Sequence, residues 1–166
     1  MNNIFKRQSV RKYLDKPIEK EKIEILLKAG MQAPSAANQQ PWEFLIITDK
    51  EKLQALSGMS PYAKPVAKCS VAFVLLGNLE TANFPGSWQQ DMAAAAENIL
   101  LEATDLDLGG VWLGVAPEKD RMDYITKLFD LPEKIKPFCL LSIGYPDEAQ
   151  KISERYDASR VHYEKY

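Results

Sequence analysis

Apolar and polar positions along the chain fall into two periods, one near 3.6 residues and one of short uninterrupted runs. From about 19 to 32, Ile23, Leu26, Leu27, Gly30 and Met31 recur at i, i+3, i+4, i+7 and i+8. Glu19 and Glu21 stand where the first turn would be, so the spacing predicts an amphipathic helix, which Pro34 ends. Shorter helices are expected at about 2–6, at about 50–57, and from Pro117 through Phe129, the last with Ile125, Leu128 and Phe129 on one face. Strands are read at 43–48 (EFLIIT), from Ser70 to Gly77, at 111–115 (VWLGV) and at 136–146 (KPFCLLSIGYP).

The strongest helical signal runs from about 88 to 106, WQQDMAAAAENILLEATDL. Its alanines have the highest helix propensity, and its apolar residues cover more than one face. A helix apolar nearly all round belongs at the centre of a fold or beneath another subunit. Gly109-Gly110 is read as its break. Helices and strands alternate irregularly, which predicts an α+β or α/β layered domain around four or five strands. The last twenty residues are polar, with Tyr156, Tyr163 and Tyr166 spaced through them, as in a tail that frays or docks by its tyrosines.

With 166 residues the chain is one domain's worth and long enough for a real core. Twenty-one basic residues against 23 acidic ones give a net charge of -2, which offers no general attraction to nucleic acid or to an anionic membrane. The N-terminus lacks the apolar core of a signal peptide, and the longest apolar run is too short to span a bilayer. Cys69 and Cys139 lie inside apolar runs and read as buried thiols of a reducing, cytoplasmic protein. The single histidine, His162, stands four residues from the C-terminus. Neither a His/Cys zinc site nor Ser-His-Asp chemistry fits that inventory. If the chain is an enzyme, a bound group must carry the reaction.

Two segments carry candidate chemistry. Lys6, Arg7, Arg11 and Lys12 crowd residues 6–12 without an acid. In an extended chain Arg7, Ser9 and Arg11 point to one side, either as a phosphate clamp or as a solvated basic face. The loop PSAANQQPW (34–42) offers Ser35, Asn38, Gln39 and Gln40, nearly uncharged, between two prolines. It suits a neutral heterocyclic ligand, or it simply joins a helix to a strand. Gly109, Gly110 and Gly114 would let backbone approach a flat ligand. Trp42 and Trp112 read as core or pocket-wall aromatics, and Asp91 and Glu97 as helix-end and polar-rim residues. His162 reads as a surface or tail residue.

In this order, RQSVRKY, PSAANQQPW, the helix WQQDMAAAAENILLEA running into LGGVWLG, and IGYP with its basic tail, the chain resembles a short member of the nitroreductase family. The resemblance covers essentially the whole chain. It implies an α+β fold with a central, mostly antiparallel sheet flanked by helices. It implies one domain over 1–166, with a tail from about 147 that wraps the partner of a homodimer. It implies FMN at the subunit interface, with NADH or NADPH as reductant and a small-molecule acceptor such as a nitroaromatic or quinone. Arg7 and Ser9 would hold the phosphate or ribityl end, with Gln8 among the cofactor-binding residues. Arg11 would lie by the N1/C2 edge of the flavin. Pro34, Ser35, Ala36, Asn38 and Gln40 would come from the other protomer. Trp112, Leu113 and Gly114 would pass the N5 edge, and Arg155, with Arg160 as second candidate, would approach the phosphate. No catalytic side chain is needed, because the flavin carries the electrons. Relatives of this type also include dehalogenases, azoline oxidases and ene-type reductases, and a non-catalytic FMN-binding protein is a further alternative. The region 58–68, with Tyr62 and Lys64, receives no assignment.

Overall fold

A computed structural model of the chain describes residues 3–148 and 153–166. In chain order the elements are α1 (Asn3–Lys6), α2 (Lys20–Met31), β1 (Trp42–Ile47), α3 (Lys50–Leu56), β2 (Val71–Asn78), α4 (Trp88–Asp105), β3 (Gly109–Gly114), α5 (Lys119–Phe129) and β4 (Ile135–Gly144). The four strands form one sheet in the order β1-β2-β4-β3, every neighbouring pair antiparallel. Residues 71–77 of β2 are all buried, as are residues 137–144 of β4. Both strands are central and covered on both faces, so their sequences read as continuous apolar runs rather than alternating ones.

Each face of the sheet carries its own core. On one, Val74, Leu113 and Leu140 pack with Leu53 and Leu56 of α3 and Ile125 of α5. On the other, Phe73, Leu75 and Leu141 pack with Leu26 of α2 and with Met92, Ala95, Ala96, Ile99 and Ala103 of α4. A Cβ added at Gly30 would stand 2.9 Å from Ile99 Cδ1, so α2 and α4 approach closely there. Asn98 Nδ2 donates to Ala29 O at 3.1 Å across the same contact. The apolar side of α4 is therefore met by its own sheet and α2, while Gln89, Gln90, Glu97 and Asp105 are exposed. Ala93, Ala94 and Leu101 remain half-buried.

The glycine pair does not end α4. The helix stops earlier, where Asp107 takes a left-handed conformation (φ 59°) and Leu108 N donates back to Ala103 O at 2.8 Å. That six-to-one bond is a Schellman cap, with Leu108 and Ala103 in the same core cluster. Gly109 and Gly110 instead lie within β3, and their lack of a side chain serves protein packing rather than a ligand. A Cβ at Gly109 would stand 2.5 Å from Val10 Cγ2, and one at Gly110 would stand 3.0 Å from Leu100 Cδ2. Of the three glycines, Gly114 alone has room for a Cβ, which would stand 4.0 Å from Arg121 Nη1.

The segment after α1 lies against this glycine strand. Ser9 bridges Gly110 in parallel, and Val10 N donates to Gly110 O at 2.9 Å. Val10 is buried, and so is Tyr13, whose hydroxyl lies 2.7 Å from Val10 O, 2.9 Å from Ser142 O and 2.8 Å from Ser142 Oγ. Burial pushes the Tyr13 phenol above its ordinary range, which keeps it a donor. The basic segment is thus bolted to the sheet edge as a short, incomplete fifth strand.

The first helix, read over 2–6, is described from Asn3, and residues 149–152 of the tail lie outside the described residues. Residues 153–166 are exposed along their whole length. Two substitutions test the glycine packing by urea denaturation. Gly109→Ala should cost about 1–3 kcal/mol by overpacking against Val10, and Gly114→Ala should cost clearly less. Equal effects would contradict the assignment.

Candidate functional site

The extended N-terminal segment distributes its side chains to two cavities. Arg7 N donates to Asn3 O at 2.8 Å and closes the last turn of α1. From there Arg7 and Gln8 face a cavity of about 420 Å³, shared with Ile4, Phe5, Glu97 and, from the tail, residues 153–156 including Arg155. Arg7 Nε lies 3.3 Å from Glu97 Oε1, so Glu97 orients the guanidinium. Gln8 Nε2 is buried and has no hydrogen-bond partner. Leaving a buried amide unpaired costs about 1–3 kcal/mol, so such an atom marks a place where a ligand acceptor fits. The tail brings Arg155 to the same cavity. Arg160 does not line it and pairs with Asp157 at 3.2 Å.

Arg11 faces elsewhere. It lines a second cavity, of about 430 Å³, with Trp112, Leu113 and Gly114 of β3, residues 60–62, Lys64, Pro65 and Arg121. Trp112 stands half-buried, edge-on to Phe138 at 5.6 Å between centroids. Arg121 Nη1 donates to Gly114 O at 3.0 Å. Arg7 and Arg11 therefore do not form one clamp around Ser9, which is exposed and lines neither cavity. The chain turns between them because Val10 must reach the core over Gly109.

The loop 34–41 is held under strain. Ala37, Asn38 and Gln40 all have left-handed backbones, with φ of 47°, 55° and 47°. Such conformations cost about 1–3 kcal/mol each for non-glycine residues and persist only when neighbours enforce them. The enforcing group is Asp91, in the first turn of α4 and only 4% exposed. Its carboxylate accepts from Ala36 N at 2.9 Å and from Gln39 Nε2 at 2.6 Å. Ser35 Oγ accepts from Gln40 N at 3.0 Å, and Gln40 Nε2 donates to Asn38 Oδ1 at 3.0 Å. Asp91 is thus more than a helix-end residue: it sets the loop. Pro34, Ser35, Ala36, Asn38 and Gln40 line neither arginine cavity of their own chain.

The family model described as the nitroreductase family matches residues 4–75 and 77–145. The chain belongs to the nitroreductase family. A crystal structure from Clostridium acetobutylicum, of a candidate NADH oxidase, is similar at 51% identity and TM-score 0.98, covering 99% of this chain and 100% of that one. An FMN-dependent nitroreductase from Clostridium difficile R20291 is similar at 33% identity and TM-score 0.92, covering 99% of each chain. A candidate NADH dehydrogenase/NAD(P)H nitroreductase of Archaeoglobus fulgidus is 40% identical over 167 residues, 98% of this chain and 96% of that protein.

For this nitroreductase-family chain, sequence reasoning named residues that the fold gathers in two cavities, Arg7, Gln8 and Arg155 in one and Arg11, Trp112, Leu113 and Gly114 in the other. It missed Tyr62, Lys64 and Arg121, which share the second cavity. The paired prolines of SPYAKP were the available signal for the first two. Arg121 had none, being one more cation in a charged helix turn. The thiols behave as expected. Burial pushes Cys69 up to about 12 and Cys139 well above its ordinary value. His162 is exposed and stacks on Tyr166 at 4.4 Å. Among the described residues there is no His/Cys/Asp/Glu group able to hold a metal, and no helix is long and apolar enough to cross a membrane.

Two outcomes follow from this geometry. Asp91→Ala should destabilise the chain by about 1–3 kcal/mol by leaving Ala36 N unpaired and taking one of two acceptors from the Gln39 amide, which keeps Phe84 O. Amide exchange should show it, with protection lost first at Ala36; unchanged exchange there would contradict the role given to Asp91. Neither thiol should react with iodoacetamide at pH 8 in the folded chain. Because folding raises both thiols, their contribution to stability is complete below about pH 9 and is lost as pH climbs toward 12.

Proposed function

We propose that the chain is an FMN-dependent NAD(P)H oxidoreductase, active as a homodimer on nitroaromatic, quinone or related small acceptors. The observation that carries this reading is the buried, unpartnered Gln8 Nε2 in a cavity that also holds Arg7 and Arg155. An amide donor with two guanidiniums matches a phosphate and its ribityl neighbour, since arginine binds phosphate oxygens through a planar fork. Ser9, exposed next to Gln8 in the chain but outside that lining, would approach the same end.

When bound, FMN supplies hydride chemistry at N5, and the chain's residues orient and charge its surroundings. Arg11 would place a fixed cation at the pyrimidine edge, where negative charge collects on reduction. Trp112, Leu113 and Gly114 would present β3 to the other side of the ring, and Arg121 holds the Gly114 backbone there. No side-chain acid or base is required, which accords with one exposed histidine and two buried thiols.

The loop residues Pro34, Ser35, Ala36, Asn38 and Gln40 serve the partner's flavin in this reading. Their strained, Asp91-enforced backbone is the kind of expense found at binding sites rather than at plain connections. A second copy would also cover the tail, where Tyr156 is 73% and Tyr163 is 83% exposed, and would cover Phe5 and Met31.

The double variant Arg7→Ala with Arg155→Ala tests the phosphate end. Losing two charge-assisted contacts should weaken FMN binding more than about 100-fold, so the protein should purify nearly colourless while light scattering still reports a dimer. A fully yellow variant would refute the placement. Stopped-flow mixing of wild-type holoprotein with NADH or NADPH should bleach the flavin, and no bleaching with either would leave a binder without turnover.

A further inference from the structure

The second cavity is electrostatically one-sided. Arg11, Lys64 and Arg121 line it, and among the described residues no aspartate or glutamate does. Among the described residues none of the three takes part in an ion pair. Arg11 and Arg121 each spend a hydrogen bond on backbone, Arg11 Nη1 on Ser9 O at 3.4 Å and Arg121 Nη1 on Gly114 O at 3.0 Å. An arginine has five donors, so most of those on Arg121 remain available. Tyr62, 74% exposed, and Trp112, half-buried, supply aromatic walls.

Three cations are more than a flavin ring needs there. The ring's pyrimidine edge gains about one negative charge on reduction, and Arg11 is placed to meet it. In the flavin reading the cofactor's phosphate would lie in the other cavity, with Arg7 and Arg155. Lys64 and Arg121 remain, and of the two Arg121 is tied to the Gly114 carbonyl, at the edge assigned to N5, where the electron acceptor must lie. A half-buried guanidinium beside aromatic walls suits a planar molecule bearing a carboxylate, which a guanidinium binds bidentately.

We propose that Arg121 binds a carboxylate of the electron acceptor, making small anionic aromatics the preferred acceptor class of this chain. The inference rests on the flavin reading for the position of the acceptor, and its test separates the two. Flavin content, read first from the absorbance spectrum, tests the cofactor by itself. Calorimetric titration with benzoate and with uncharged benzamide then reads the cation cluster, whether or not flavin is loaded. Benzoate should bind the wild type at least about tenfold tighter than benzamide, and Arg121→Gln should remove that preference. Absence of a preference in the wild type would overturn the proposal.

Turnover gives an independent readout. The ratio of kcat/KM for 4-nitrobenzoate to that for 4-nitrobenzyl alcohol should fall about tenfold in Arg121→Gln. Arg121→Lys, which keeps the charge and loses the fork, should fall between. A merely structural role would lower both acceptors together and leave the ratio unchanged, which would overturn the assignment. A defect confined to the KM for NADH would overturn it too, by assigning the cation to the reductant's diphosphate.

Discussion

The packing of Val10 across Gly109 organises everything near the candidate site. Because β3 carries glycine at Gly109 and Gly110, the N-terminal segment can lie directly on the sheet edge, hydrogen-bonded to Gly110 and anchored below by the buried Tyr13 hydroxyl. Val10 and Tyr13 point inward, so the intervening polar residues have to face out. Arg7 and Gln8 reach one cavity before that anchor, and Arg11 reaches the other after it. A side chain at Gly109 would lift the segment and disturb both cavities together. The separation between them comes from sheet packing.

A second constraint acts at the far end of α4. Asp91 is buried there, and it spends its charge on Ala36 N and Gln39 rather than on a cation. A carboxylate taken out of water is costly unless such donors meet it, and they meet it only when loop 34–41 takes its left-handed course. Strain in the loop and burial of the acid are therefore satisfied together. The same helix carries Glu97, which orients Arg7. One helix thus positions both a loop that lines neither arginine cavity of its own chain and an arginine that lines one of them.

Much of the fold could be read from periodicity. β2 and β4 declare themselves as uninterrupted apolar runs because both of their faces are covered, and the i, i+3, i+4 spacing of α2 follows from packing on α4. The end of α4 could not be read. Glycine is the usual left-handed cap, and here Asp107 takes that role while the glycines answer a tertiary contact with Val10. The cofactor-binding candidates came from the ordered motifs RQSVR, PSAANQQPW and VWLG, which local sequence carries. Asp91 and Arg121 act through partners 55 and 7 residues away, and no local pattern marks such pairings. The clamp reading of Arg7, Ser9 and Arg11, one of two left open, fails for the same reason, since alternation says which way residues point but not where the cavities are.

The central claim is that each flavin site takes Arg7 from one chain and loop 34–41 from the other. Subunit mixing tests it most directly. One flavin-poor variant carries Arg7→Ala with Arg155→Ala, and a second carries Asn38→Ala with Gln40→Ala. After the two are unfolded together and refolded, a divided site places both intact halves together once in every mixed dimer. FMN titration should then recover about a quarter of the wild-type binding capacity, given random pairing and one intact site in each mixed dimer. Recovery no greater than the sum of the two parents would contradict the claim and return the whole site to a single chain.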